Sequence, residues 1–387
     1  MLSILQIPIK AELGLTDTQM GLMGGIAFAS VYSTLAIPFA RIADRSGRVR
    51  VISLAVAVWS GFTALSGLGQ NFWHLFLMRM GVGIGEAGGV APSYALIADG
   101  VAPERRARSL AIFSLGIPIG SAIGLLFGAW LVSAFNWRVT FVVVGLAGLP
   151  VAWAIRRFVP ETLRASNAPA GASLASVAGR LARKPSFWLL SFGAASGSIC
   201  GYGLGFWLPP YFVKTLGISM TGMGLYFGTI VLVGGIAGIM LGGYLADRLR
   251  GRSVTADALV PAGAFLLTTP LYFAAMSTSS LALAWPLFVL PYMLSLAWLG
   301  PINSAIQRLV PSQERATASA CFLLINNLIG IGFGTFIFGF LSDRLKGSHG
   351  DQSLRYALLY GLAFYLVASL LCALAAHRLK RDAVDEA

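Results

Sequence analysis

RIADRSGR at residues Arg41–Arg48 follows one apolar segment, and YLADRLRGR at residues Tyr244–Arg252 follows another. In each stretch an acid, Asp44 or Asp247, stands directly before an arginine at the end of a segment long enough to be a membrane helix. The two copies lie about 200 residues apart, which is roughly half of the 387-residue chain. This spacing indicates an internal repeat and predicts two similar halves.

A second pair of motifs has a similar spacing, because PERRARSLA begins at Pro103 and PSQERATAS begins at Pro311. Each of these two motifs stands at the start of a further predicted helix. Since a membrane span needs about 20 apolar residues, we expect eleven complete spans. They are 19–40, 51–69, 73–98, 107–132, 138–157, 187–212, 221–246, 256–276, 282–307, 316–341 and 354–376. Met1–Ile9 has the composition of the last turns of one more helix.

The composition indicates a membrane protein and argues against a soluble fold. Hydrophobic residues make up 57% of the chain and charged residues 11%, with a mean hydropathy of +0.77. The net charge of +13 does not indicate nucleic-acid binding, because the basic residues cluster in every second loop, whereas the loops near Gln70 and Ser279 carry no charge. Positive charge held on one side predicts that the basic loops are cytoplasmic.

The cysteines and histidines do not form a metal or catalytic pattern. The cysteines lie in apolar segments at unrelated spacings, which is typical of small buried side chains: Cys200, Cys321 and Cys372. The histidines lie at or near loop ends: His74, His349 and His377. We therefore expect no metal, no cofactor and no enzymatic activity.

The chain divides into four parts by its pattern. We expect an N-terminal helix bundle at residues 1–157, a linker at 158–186, a C-terminal bundle at 187–378 and a tail at 379–387, with linker and tail cytoplasmic. Within the linker, ASLASVAGRLARKPSFW is compatible with an amphipathic helix on the inner leaflet. A flexible linker explains the same composition, and both interpretations stay open.

The pattern Asp-Arg-x-Gly-Arg at Asp44–Arg48 resembles the cytoplasmic signature of the major facilitator superfamily, and its decayed copy lies at the matching place in the second half. The resemblance implies an all-α polytopic membrane protein with the major facilitator fold of two six-helix bundles. Parallel repeats of this kind allow alternating access. Ala40 stands where the signature usually begins with Gly, which alters close helix packing.

Within that superfamily four stretches resemble the Spinster group: IPIKAELGLTDTQMGLMGG, GVGIGEAGGVAPSY, SLGIPIGSAIG and NWRVTF. This resemblance implies a secondary active transporter that moves an amphiphile, such as a sphingoid base or a lysophospholipid, by rocker-switch alternating access. Spinster-like proteins carry an Asp-Arg pair on the first helix that is implicated in proton coupling. Here its place would lie upstream of Met1, so we expect helix 1 to be truncated, by a mis-assigned start or a real truncation.

Glu86 is the acid that stands out inside an apolar segment, in RMGVGIGEAGGVAPSYALIA at Arg79–Ala98. A charge at the centre of a membrane helix costs roughly 2.5–3.5 kcal/mol, so such residues usually serve transport or proton movement. Arg79 lies two helical turns earlier on the same face, at about 10 Å. We predict that Glu86 takes and releases a proton and that Arg79 biases its charge. The alternative is a static ion pair that locks two helices together.

The repeated motif predicts a gate at the cytoplasmic helix ends, because a carboxylate there can pair with Arg or accept backbone N–H bonds from a neighbouring helix. The predicted gate residues are Asp44, Arg45, Gly47, Arg48, Asp247 and Arg248. A solvated turn that merely follows the positive-inside rule is the alternative. In the fifth helix, small residues at every fourth position predict close helix packing around a proline bend: Gly116, Pro118, Gly120, Gly124 and Gly128.

Aromatic and amide side chains in the second half are candidates for a substrate cavity. They suit an amphiphile with a polar head, although aromatic residues in membrane helices often serve only packing. The candidates are Tyr202, Phe206, Trp207, Trp298, Asn303, Gln307, Asn326 and Asn327.

The expected function is proton-coupled transport of a lipid-like or amphiphilic molecule, by a monomer in a bacterial-type inner membrane, with protons, substrate and bilayer as partners and no nucleic acid. One alternative is a proton-coupled drug or organic-metabolite antiporter, since GIPIGSAIG also resembles exporter helices. The other is a membrane sensor of the same fold that does not transport.

Overall fold

The computed structural model describes residues 2–161, 174–250, 255–311 and 314–384, and the regular structure in these ranges is helical. The N-terminal half consists of α1 (Leu2–Leu13), α2 (Asp17–Gly24), α3 (Ile26–Ser46), α4 (Arg48–Ser66), α5 (Phe72–Ala87), α6 (Val90–Gly100), α7 (Pro103–Ser114), α8 (Gly116–Ala134) and α9 (Trp137–Phe158). After α10 (Leu174–Ala182), the C-terminal half consists of α11 (Pro185–Lys214), α12 (Met220–Arg250), α13 (Ala256–Ser277), α14 (Leu281–Leu296), α15 (Leu299–Gln307), α16 (Arg315–His349), α17 (Ser353–Gly361) and α18 (Ala363–Asp382).

Nine helical stretches among the described residues are long and apolar enough to cross a membrane. The last of them, Thr317–Asp382, takes in α16, α17 and α18. A multi-pass membrane protein is therefore confirmed, whereas the count of eleven complete helices and a truncated first helix stays a prediction. Residues 2–13 are helical, as expected for the apolar start of the chain.

Each half is a bundle of packed helices. In the first, α4 packs between α5 and α9, and α3 packs against α5. In the second, α11 packs against α16 and α18, and α13 against α14 and α18. The halves meet along three seams, α2 and α3 with α16, α8 with α12, and α1 with α11. We call the end of the bundle around Arg48 the basic end and the end around Asp17 the opposite end.

The seam between α8 and α12 is close because glycines of α12 admit the side chains of α8. A Cβ at Gly224 would lie 2.5 Å from the Ala129 Cβ, and one at Gly235 would lie 2.9 Å from the Pro118 Cβ. A side chain at either glycine would therefore push the two halves apart.

The predicted packing role of the glycine ladder in α8 is wrong for three of its members. A Cβ at Gly116, Gly120 or Gly124 would meet no atom within 4 Å, so these glycines face away from α12. The face of α8 that packs on α12 is the one with Pro118, whose ring lacks an N–H. The helix is interrupted at Leu115, three residues before this proline.

The helix α10 lies in the predicted linker and is amphipathic. Val177 and Leu181 are fully buried, while Arg180 forms an ion pair with Glu314 at 3.0 Å. Its apolar side is therefore covered by protein, at the start of α16. Residues 162–173 of the linker lie outside the described part of the chain.

Glu12 connects α1 to α9 at the opposite end. Its carboxylate accepts a hydrogen bond from Trp137 Nε1 at 2.6 Å and pairs with Arg138, which also donates to the Gly69 carbonyl at 3.0 Å. The Arg138 guanidinium stacks on the Trp137 ring, 4.1 Å from its centroid. The hydrogen bonds from Trp137 and Arg138 hold the pKa of Glu12 below its ordinary value of 4.5.

We expect Glu12→Gln to lower the thermal midpoint of the protein in detergent at pH 7. Because the folded state lowers the pKa of this carboxyl, its contribution to stability is present above pH 4.5 and is lost as the pH falls through the lowered value. The difference between variant and wild type should therefore shrink below pH 4.5. Differential scanning fluorimetry across this range measures it, and a difference that stays constant with pH would contradict the assignment.

Candidate functional site

The two halves are joined at the opposite end by charged side chains. Asp17, at the start of α2, forms an ion pair with Lys10 of the same half. From α16 it accepts a hydrogen bond from Ser342 Oγ at 2.9 Å and approaches Lys346 Nζ at 3.7 Å. One acid therefore binds a cation from each half.

Asp343 of α16 caps the first turn of α2 across the seam. Its carboxylate accepts hydrogen bonds from the backbone N–H of Thr18 at 2.6 Å and of Asp17 at 3.2 Å, and from Thr18 Oγ1 at 2.6 Å. The first N–H groups of a helix have no partner within the helix and carry partial positive charge. An acid from the other half supplies the missing acceptor, and Lys346 pairs with it at 2.5 Å.

Below this network the backbones of α2 and α16 touch. A Cβ at Gly21 would lie 2.5 Å from the Thr335 carbonyl oxygen, and one at Gly25 would lie 2.5 Å from the Gly332 carbonyl oxygen. Thr335 Oγ1 donates to the Gly21 carbonyl at 2.7 Å. Small residues at this seam therefore permit hydrogen bonding between the halves without intervening side chains.

The hydrogen bonds and ion pairs between the halves, as far as the described residues show, all lie towards the opposite end. Besides those of α2 and α16, Gln6 Nε2 donates to the Phe206 carbonyl at 2.6 Å and Thr221 Oγ1 donates to Ser133 Oγ at 3.1 Å. The arrangement closes the space between the halves at that end.

Glu86 lies on α5, as predicted, two turns after Arg79. The two charges interact electrostatically. Within the described part of the chain, neither makes an ion pair or a hydrogen bond, and the buried Nε atom of Arg79 is unsatisfied. The Arg79 guanidinium instead lies over the Phe28 ring, 5.4 Å from its centroid. The static ion pair considered from the sequence is therefore not formed in this conformation.

Aromatic residues of α3 lie beside this pair. Phe28 stacks on Tyr32 with ring centroids 5.0 Å apart, and Tyr32 lies within electrostatic reach of Glu86 and Tyr202. The side chain of Tyr202, on α11 of the other half, is 44% exposed. An aromatic ring of α3 therefore lies near the acid, and a ring from the other half lies near that one.

At the basic end, Arg48 is the centre of a charged cluster within the N-terminal half. This buried guanidinium pairs with Asp99 at the end of α6 and with Asp44 of α3 at 3.2 Å. Asp44 makes a further contact, while the predicted gate residue Arg45 is exposed and makes no ion pair with another described residue. The gate motif therefore joins three helices of one half.

Gly47 is required by the backbone at the junction of α3 and α4. Its φ of +99° is a left-handed conformation that other residues rarely adopt. Glu161 lies directly beside it and accepts hydrogen bonds from the backbone N–H of Arg48 at 2.7 Å and of Val49 at 3.1 Å. This carboxylate caps the start of α4 in the way that Asp343 caps α2.

The second copy of the motif is arranged differently. Arg248 Nη1 donates to Tyr244 OH at 2.9 Å, one turn away on the same helix. The side chain of Asp247 lies outside the described residues. A gate role for this pair stays a prediction.

Three aromatic residues predicted to line a cavity are buried in packing contacts instead. Trp207 is 1% exposed, and its Nε1 donates to the Thr335 carbonyl at 2.8 Å. Phe206 packs on Gly24 of the other half, and Trp298 is buried as well. As their hydrophobic surface is already covered, the prediction of substrate contact is wrong for these residues in this conformation.

The predicted amides lie on two helices, Asn303 and Gln307 on α15 and Asn326 and Asn327 on α16. Asn326 is buried and accepts a hydrogen bond from Ser198 Oγ at 2.9 Å, so its main role is packing. Four of the predicted cavity residues keep partly open side chains, and substrate contact stays a prediction for them: Tyr202, Asn303, Gln307 and Asn327.

Four acids that organise the two ends were not identified from the sequence. A signal existed for Asp17, because TDTQ at Thr16–Gln19 has the spacing of a helix capping box, and this capping box is formed. Asp343, followed by an arginine at the end of an apolar segment, repeats the pattern of the gate motif. Asp99 and Glu161 are single acids near helix ends, and no local pattern identifies their partners.

Comparisons with known proteins agree with this architecture. The model of the Major Facilitator Superfamily matches residues 1–335. An "MFS-type efflux pump" of Mycolicibacterium smegmatis is 35% identical over 100% of this chain and 90% of its own length. The "Sphingosine-1-phosphate transporter SPNS2" of Danio rerio is 26% identical over 93% of this chain and 76% of its own length. The crystal structure of a bacterial homologue of the human lysosomal transporter Spinster, inward-facing and unoccupied, superposes with a TM-score of 0.90, at 29% identity over 100% of this chain and 95% of that chain.

We expect Asp17→Asn to open the opposite end. The change removes the charge that holds Lys10 and Lys346, and a charge-assisted hydrogen bond is worth about 1.5–3 kcal/mol, so the population open at this end should rise roughly tenfold or more. Distances between spin labels at Gln70 and Ser279, two loops at this end, measure the populations in a Cys321→Ser background.

Asp351→Asn is the matched control, since Asp351 is an exposed acid in the loop after α16 and does not join the network. An unchanged distance distribution in Asp17→Asn would show that the network does not hold this end closed.

Proposed function

Because the chain belongs to the Major Facilitator Superfamily and is a Spinster-like multi-pass membrane transporter, we propose that it is a secondary active transporter that couples proton movement to the transport of a lipid-like or amphiphilic small molecule. Its relatives are transporters and not enzymes. Transport proceeds by rocker-switch motion of the two halves about a central site.

The observation that carries the proposal is the unpaired Glu86. A membrane-embedded carboxyl without an ion pair or a hydrogen bond to another described residue is costly to keep charged. It is therefore suited to take up a proton when water reaches it and to release that proton when its surroundings change. Arg79 lies within electrostatic reach of Glu86, and no other acid of the described residues acts on it, so a shift of the Arg79 side chain relative to Glu86 would change the charge bias on the acid.

The contacts between the halves support an alternating-access cycle. They lie at the opposite end, and the basic loops predict that the basic end faces the cytoplasm. We therefore assign the conformation as inward-facing, which agrees with the state of the similar Spinster homologue. In the cycle, the Asp17 and Asp343 contacts break while contacts form at the basic end.

The gate motif suits the second part of this cycle. In the inward-facing state Arg48 pairs with Asp44 and Asp99 of its own half. The exposed carboxylate of Asp44 can accept a partner from the C-terminal half when the basic ends approach each other. We propose that this exchange holds the outward-facing state.

An amphiphilic substrate is supported by the side chains beside Glu86. Phe28, Tyr32 and Tyr202 offer aromatic surface, and the nearby Arg79 offers a cation to a polar or anionic head group. The Danio rerio relative is named for sphingosine-1-phosphate. A drug or organic-metabolite antiporter is the second candidate, because the Mycolicibacterium relative is named an efflux pump.

We expect Glu86→Gln to abolish substrate-dependent proton movement while the protein still folds and inserts, because an amide cannot carry the proton. Proteoliposomes with an interior pH dye measure it, with sphingoid bases, lysophospholipids, cationic drugs and sugars added in turn. The compound that moves protons in the wild type identifies the substrate class and separates the two candidates.

Asp351→Asn is the control, since it makes the same change from carboxylate to amide at an exposed acid. Proton flux that persists in Glu86→Gln would refute the coupling role. Substrate movement without protons in the wild type would leave a uniporter, and ligand binding without any flux would favour a sensor.

We expect Asp44→Asn to reduce the outward-facing population, because it removes the acceptor that the exchange needs. Double electron–electron resonance between labels on the two halves at the basic end measures the population. Arg41→Gln is the control, as this exposed residue of α3 lies outside the predicted gate and makes no ion pair with another described residue. If the two variants have the same distance distribution as the wild type, the motif is not a gate.

A further inference from the structure

A groove runs along the outer surface of the N-terminal half between α4 and α9, at the basic end. It has a volume of about 440 Å³. Both helices pack with their other sides on the N-terminal half, α4 against α5 and α6 and α9 against α8. The lining residues are Arg50, Ser53, Leu54, Ala57, Leu149, Ala152, Trp153 and Arg156. The groove is therefore separate from the space around Glu86.

Two arginines stand at one end of this groove, one from each helix. Arg50 is the third residue of α4, and Arg156 lies two residues before the end of α9. Both are exposed, and within the described part of the chain neither makes an ion pair or hydrogen bond. The acid nearest in sequence, Glu161, is engaged by the backbone N–H groups of Arg48 and Val49. Among the described residues, the groove thus presents two cations without a counter-ion.

The rest of the groove is apolar and continues along the helices away from the arginines. Leu54 and Ala57 follow Arg50 by one and two turns of α4, and Leu149 and Ala152 precede Arg156 on α9. Leu54 is 63% exposed, and so is Trp153, whose ring packs edge-on against Phe158. A tryptophan with one face open beside arginines is typical of the level of lipid head groups.

We propose that this groove binds an anionic phospholipid of the leaflet at the basic end. Its phosphate lies between Arg50 and Arg156, where guanidinium groups offer paired N–H donors to phosphate oxygens. Its acyl chain lies on Leu54, Ala57, Leu149 and Ala152. Basic pockets between membrane helices on the cytoplasmic side recognise anionic lipid head groups by the same physical means.

The position of the groove distinguishes this proposal from the general positive-inside pattern. Arg378 and Arg381, at the end of α18, follow that pattern too but do not line this groove. The bound lipid would bridge the first turn of α4 to the last turn of α9. Since α4 begins at the gate residue Arg48, the lipid would hold the N-terminal side of the gate in place. This inference does not depend on which substrate is transported.

Native mass spectrometry of delipidated protein tests the proposal with phosphatidylglycerol and phosphatidylcholine as the two probes. We expect the wild type to retain one phosphatidylglycerol in preference to phosphatidylcholine. Arg50→Gln with Arg156→Gln should weaken this retention roughly tenfold or more. Arg378→Gln with Arg381→Gln removes the same charge elsewhere and should leave it unchanged. Equal retention of both lipids, or equal loss in both double variants, would overturn the proposal.

Two further variants locate the site and guard against a folding defect. Arg50→Lys with Arg156→Lys keeps both cytoplasmic charges and should retain part of the binding. Ala57→Phe fills the apolar part of the groove with both arginines in place and should weaken retention of the lipid.

Brominated phosphatidylglycerol should quench the fluorescence of Trp153, and Trp153→Phe should remove that quenching. Added inorganic phosphate should not displace the lipid, and displacement by phosphate alone would show an anion site instead.

Discussion

The arrangement of the two halves depends on the way α16 caps α2. Asp343 accepts the first backbone N–H groups of α2, Asp17 binds cations from both halves, and Thr335 reaches the Gly21 carbonyl. Each contact uses a group that would otherwise be an unsatisfied donor, acceptor or charge near a membrane surface. A seam of this kind is polar and near one end, so it can open without exposing a large apolar surface.

The central acid differs from these paired acids, because Glu86 makes no ion pair or hydrogen bond with another described residue. An ion pair with Arg79 would stabilise the ionised form of Glu86 and so disfavour proton uptake by this carboxylate. The Arg79 guanidinium lies instead against the face of the Phe28 ring, and Tyr32 of the same helix lies within electrostatic reach of the acid. The arrangement that makes the site costly for folding is also the one on which the proposed proton coupling rests.

Much of the fold could be predicted from the sequence, because hydropathy and turn residues act locally. Apolar length, the alternation of basic loops and the repeat of Asp44 at Asp247 were enough for the family, the helix bundle and the position of Glu86. Prediction failed where the orientation of a helix decides the role of a residue. Gly116, Gly120 and Gly124 have the spacing of a packing motif, yet the contact face belongs to Pro118, and glycines of α12 admit it. Trp207 is an aromatic residue of the kind expected to contact a ligand, but it is buried in the core.

The sequence by itself determined a membrane transporter of two repeated halves with an acid in its interior, since each of these features follows from a short stretch of chain. Only the tertiary structure decided which charges meet. Asp17 and Asp343 are separated by 326 positions. Arg48 pairs with Asp99 and donates its backbone N–H to Glu161, although both acids are distant from it in the sequence. Such pairs depend on the relative placement of helices, and that placement results from packing over the whole bundle rather than from any local pattern.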